Sequence, residues 1–109
     1  MSADTERLPS GAPSPAAFHY GPGHMIVHGN PAFIEAFGYT TIGQPAREAL
    51  LDLPPKAFEL MDLVFETGKP GACAVTTSAG PRRLVVAPRR DPETGEVYGV
   101  TTHLRPAAG

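Results

Sequence analysis

The chain has 109 residues, of which 41% are apolar, and nine Lys and Arg against eleven Asp and Glu leave a net charge of −2. That length supports one domain and one core, with about two-thirds of the unfolded surface buried on folding. No apolar run approaches the roughly 20 residues of a membrane span, no basic field exists to attract nucleic acid, and the lone Cys73 cannot close an internal disulfide.

Residues 1–15 contain Pro9, Pro13 and Pro15, with Leu8 and Met1 as the large apolar residues. Such a segment buries little and reads as a disordered tail. It also lacks the basic start and apolar stretch of a secretory signal, so a cytoplasmic location is expected. Residues 16–106 read as the folded domain, and 107–109 as a short C-terminal tail. A first strand is predicted at 18–20 and a second at 25–28, paired as a hairpin through Gly21-Pro22-Gly23. Asn30-Pro31 is a helix start: Asn caps free backbone N–H groups and Pro is preset for the first helical position. Phe33 and Phe37 then share a face and Gly38 stops the helix. Residues 44–53 predict one or two short helical turns carrying Leu50, Leu51 and Leu53.

The longest helix is predicted over 55–67. Phe58, Met61 and Phe65 fall on one face, with Glu59, Asp62 and Glu66 opposite. Gly68 ends it and Pro70 prevents its return. Three strands rich in Val and Thr follow at 72–77, 83–87 and 97–104, joined by turns at 78–81 and 91–95, so neighbours should be antiparallel. Helices segregated from a strand meander define an α+β fold.

Several segments in this order resemble the PAS family: Ile26 through Gly38 (IVHGNPAFIEAFG), Ile42-Gly43-Gln44, VFETGKP at 64–70 and ETGEVYGVTTHL at 93–104. The wording is closest to actinobacterial PAS sensor modules, and a stand-alone module is the expectation. The resemblance implies a five-stranded antiparallel sheet with helices packed on one face, in which the strand of Ile26 adjoins the strand of Val100. It also implies a sensory or regulatory module binding a small molecule or a partner protein in signal transduction, with a protein partner or homodimer expected. A ligand-free dimerisation or adaptor domain is the alternative, and a small-molecule-converting enzyme stands third.

Cofactor signatures of the family are not matched. Photosensing flavin versions resemble one another in carrying a cysteine where this chain has residues 43–50, and none is there. Haem versions usually carry a histidine on the long helix, and 55–67 has none. Photoactive flavin and haem are therefore disfavoured. His24 and His28 have helical metal-pair spacing, but on a strand four residues span about 13 Å, too far for two bonds of about 2.1 Å to one ion. With His19 they read as solvated or hydrogen-bonded histidines, and no metal is expected. Nucleophilic catalysis needs an oriented base beside Cys73 or a serine. Ser2, Ser10, Ser14 and Ser78 lie in the tail or a turn, so no enzyme is expected. Arg82 and Arg83 are separated from Arg89 and Arg90 by about 23 Å of strand and read as solubilising strand ends.

Any ligand pocket should lie between the long helix and the sheet. Its candidate wall is Phe58, Met61 and Phe65 opposed to Cys73, Val75, Val100 and Thr102. On the last strand, Tyr98, Val100, Thr102 and Leu104 are the inward parity, being more apolar than their alternates.

Overall fold

The structure is a computed structural model that describes residues 14–107. Residues 1–13 and 108–109, which hold most of the two expected tails, lie outside the described residues. In chain order the elements are β1 (Ala16–Tyr20), β2 (Met25–Gly29), α1 (Pro31–Phe37), a 3-10 turn (Tyr39–Thr41), α2 (Ala46–Ala49), α3 (Pro55–Thr67), β3 (Gly71–Thr77), β4 (Gly80–Arg90) and β5 (Val97–Pro106). The strands form one antiparallel sheet of five in the order β2-β1-β5-β4-β3. The α+β class and the five-stranded sheet are as expected.

One adjacency is corrected. The strand of Ile26 does not adjoin that of Val100: β1 lies between them, pairing His19 with Ile26 on one side and with Val100 on the other. The physical reason is the tight β1–β2 turn, which commits one edge of β1 to β2 and leaves the other for β5. β2 is thereby an edge strand. Its open side is closed locally, because Ile26 N donates to Gln44 O at 2.9 Å and Ile26 O accepts from Gly43 N at 2.7 Å.

A second correction concerns β5. Val100 is fully buried, Leu104 is nearly so, and Thr102 shares their face, but Tyr98 does not follow the alternation. The β4–β5 register shifts between Arg89 and Arg90, so Arg89 faces Gly99 while Arg90 faces Val97. Tyr98 is the extra residue of this bulge. Its ring packs on the opposite face, 6.0 Å from Phe18 and 6.3 Å from Tyr20 between centroids.

The core lies between the sheet and α3. Ile26, Met61, Val64, Leu84, Val86 and Val100 are all fully enclosed there. Val64 follows Met61 by three residues, so both meet the sheet from one side of α3. Gly68 ends α3 in the left-handed region, with φ 71°, and its N–H returns to Val64 O. Arg90 fastens this end, donating to Gly68 O at 3.0 Å and to Gly95 O at 2.7 Å. Arg89 lies 5.3 Å over the Phe18 ring. Both arginines thus make specific contacts rather than merely solubilising a strand end.

Asn30 caps α1 as its position predicts, its Oδ1 accepting from Phe33 N at 2.8 Å. The same oxygen accepts from Ala16 N at 3.0 Å, and Nδ2 donates to Ser14 O at 3.1 Å. A single buried amide therefore ties the entry to β1 to the start of α1. Asn30→Ala is expected to cost about 2 kcal/mol, more than a simple cap, because buried backbone groups are left unpaired. Urea denaturation checks this; an unchanged midpoint would show that the amide carries no net weight.

Candidate functional site

The residues proposed to wall a pocket do come together. Phe58 and Met61 of α3 join Val75 of β3 and Val100 of β5 in one hydrophobic cluster, with Phe65 and Cys73 packed against it. Met61 and Val100 are 0% exposed, which describes occupied space. Phe58, at the margin, also borders a surface cleft of about 430 Å³ with Arg47, Leu50, Leu53 and Glu59. Thr102 has a different role, as a polar partner inside the sheet–helix layer.

That partner is His19, which is fully buried on β1. His19 Nδ1 lies 3.4 Å from His24 O, and Nε2 lies 2.8 Å from Thr102 Oγ1. A carbonyl oxygen can only accept, so Nδ1 carries the hydrogen and Nε2 accepts from the Thr102 hydroxyl. Burial pushes the His19 pKa down from 6.5 to about 4, outweighing the opposing effect of the hydrogen bond to the His24 carbonyl.

His24 sits at the end of the β1–β2 turn with φ 57°, a left-handed conformation unusual for a residue with a Cβ. It is 1% exposed. Its Nε2 donates to Asp62 Oδ1 at 2.7 Å, its ring meets Phe65 edge-on at 6.1 Å, and its backbone O accepts from Ala46 N at 3.1 Å. Asp62 Oδ2 in turn accepts from Arg47 Nη2 at 2.9 Å, and Arg47 lies 5.6 Å over the Phe58 ring. Arg47, helped less by His24, holds the Asp62 carboxyl below its ordinary range despite partial desolvation. This chain of contacts joins the turn, α2 and α3. His24 Nδ1 is buried and has no hydrogen-bond partner among the described residues.

The sequence places Asp62 on the solvent side of α3, and the structure corrects that assignment: it sits at the margin and reaches back to His24. No local spacing signals the contact, since the two residues are 38 positions apart. His28 is exposed and takes no part.

The opposite face of the sheet carries an aromatic patch. Phe18 and Tyr20 alternate with the buried Ala17 and His19 along β1, so they point away from the helices. Tyr98 joins them through the bulge. Tyr20 is 55% exposed, and Met25, opposite Tyr20 in register, is 45% exposed. A separate cleft of about 550 Å³ opens where α1 approaches the β3–β4 turn, bordered by Glu35, Phe37, Asp52, Ser78 and Arg82. Asp52 is occupied there, accepting from Ser78 N and Oγ at 2.9 Å each.

Solved structures similar to this chain include PAS domains. The PAS domain of the histidine kinase ThkA superposes with a TM-score of 0.69 at 17% identity, over 84% of this chain and 97% of that one. The PAS domain of a protein from Colwellia psychrerythraea gives 0.66 at 15% identity, over 90% and 89%. VqmA bound to DPO gives 0.70 at 18% identity over 91% of this chain but 54% of that one, so this chain spans little more than half of VqmA. No family model and no curated protein matches the sequence. The likeness is one of fold: the chain has the PAS fold, as its sequence motifs suggest. Among the described residues no helix is long and apolar enough to cross a membrane.

Proposed function

We propose that the chain is a regulatory PAS module, not a free-standing enzyme, that signals by contacting a partner protein through the outer face of its sheet. The observation that supports this reading is the patch of Phe18, Tyr20, Tyr98 and Met25, large apolar and aromatic side chains beside one another on a face that no helix among the described residues covers. The filled layer beneath α3 makes the protein surface the readier place for recognition. Tyr20→Arg should abolish retention of a partner by the immobilised chain while leaving the melting temperature within a few degrees. Equal retention by both forms would sink the reading.

A second reading, small-molecule sensing beneath α3, has its own support in the unpartnered His24 Nδ1, a buried polar atom that a ligand could satisfy. VqmA, similar in fold, is a protein that binds DPO. The wall would then be Phe58, Met61, Phe65, Cys73, Val75, Val100 and Thr102. Met61→Trp separates the readings. In a filled core the added volume destabilises by about 1–3 kcal/mol. A tolerated tryptophan, together with a mass in native spectra above that of the bare chain for wild type alone, would favour the ligand.

A further inference from the structure

We propose that the outer edge of β3 is a homodimerisation surface, at which a second copy of this chain adds its own β3 antiparallel about a two-fold axis at Ala74. β3 is an outermost strand of the sheet. Its sequence, GACAVTT, holds no charge and no proline. Edge strands are normally protected by lysines, prolines, bulges or a covering loop. The other edge strand, β2, has such protection: a register shift in its pairing with β1, and the segment bonded to Ile26. β3 pairs with β4 without a register shift.

The direction of its backbone groups follows from the ladder. Leu104 N donates to Pro15 O on the β1 side, so Arg105 turns its groups toward β4 and pairs there with Arg83. Arg83 therefore faces β5, and its neighbours Arg82 and Leu84 face β3, where they meet Val75 and Cys73. By the same alternation Ala72, Ala74 and Thr76 turn their N–H and C=O groups away from the sheet. The side chains of these three residues are exposed. No bond to their backbone from outside the β3–β4 ladder occurs among the described residues.

A two-fold axis at Ala74 sets Ala74 opposite its own copy and Ala72 opposite Thr76 of the copy. Every pair then joins residues whose groups point outward, and each exchanges both N–H···O bonds. The facing side chains are alanine and threonine, with no like charges opposed. Arg83, beside Ala74 on β4, would lie three strand spacings from its copy, about 14 Å, beyond the range of strong repulsion in physiological salt. An uncharged strand that is complementary to itself favours a second copy over a foreign peptide. The inference is independent of the partner-binding reading, because the edge and the aromatic face are different surfaces.

Sedimentation equilibrium of the full chain tests it, with Ala74→Lys, Thr76→Lys and Tyr20→Arg beside wild type. Wild type should dimerise, and either lysine should weaken the dimer by about tenfold or more by opposing charges across the axis or beside it. Circular dichroism should stay unchanged, since both positions are exposed. Amides of Ala72, Ala74 and Thr76 should exchange more slowly as protein concentration rises. A monomeric wild type overturns the proposal, even if another protein protects those amides. A dimer that survives both lysines overturns it too, as does one lost only in Tyr20→Arg, which would assign dimerisation to the sheet face.

Discussion

Gly99→Ala is expected to lower the unfolding free energy by about 3 kcal/mol, at the upper end of what one added methyl costs a packed interior. Gly99 stands opposite Tyr20 on β1 and opposite Arg89 on β4, at the bulge that displaces Tyr98. A Cβ there would lie 2.2 Å from the His19 carbonyl oxygen and 3.0 Å from Phe18 Cε1. The oxygen belongs to backbone in the β1–β5 ladder and has no rotamer by which to withdraw. Relief requires the strands to part, which also pulls His19 from Thr102. Gly23→Ala is the control, since its Cβ would meet nothing within 4 Å. Urea denaturation of both variants decides the matter: equal midpoints would show that the strands accommodate the methyl without cost.

Gly99 also marks where reading the sequence stops. The meander of β3, β4 and β5 is legible because Val- and Thr-rich runs are separated by Gly- and Pro-bearing turns, and each observed strand contains or overlaps its predicted run. Face assignment along β5 assumes an unbroken pleat, and the bulge at Tyr98 breaks it, with Gly99 inside the run as its local sign. The position of β1 between β2 and β5 is a long-range choice. Asn30 shows both sides in one residue: its cap on Phe33 N is a matter of three positions, whereas its bonds to Ala16 and Ser14 close only when β1 lies beside the helix start. The polar cluster is still less local. It depends on a histidine in the left-handed region and on an aspartate a whole α-helical segment away, so the sequence shows His24 only as a candidate for solvation or hydrogen bonding.

Acid is expected to destabilise the protein through His19 well before most carboxylates titrate. The folded pKa of about 4 lies below the unfolded 6.5, so the folded state holds the ring neutral while the unfolded chain takes up a proton. The neutral ring's contribution is complete above pH 6.5, declines as pH falls toward 4, and is fully lost once the folded ring itself protonates. A gap of that size corresponds to about 3 kcal/mol. Burial, with a smaller effect of Arg105, lowers His103 as well and adds in the same direction. Asp62, held low chiefly by Arg47, loses its contribution only in more acid solution, below its ordinary 3.8. The region between pH 6.5 and 4 therefore reports mainly on His19 and His103. Unfolding free energies measured by urea denaturation across that region should fall for wild type, and the slope should correspond to proton uptake on unfolding. His19→Gln keeps a side chain able to bond both Thr102 and the His24 carbonyl but removes the titration, so its slope should be clearly shallower. A His19→Gln profile parallel to that of wild type would show that some other group carries the acid sensitivity.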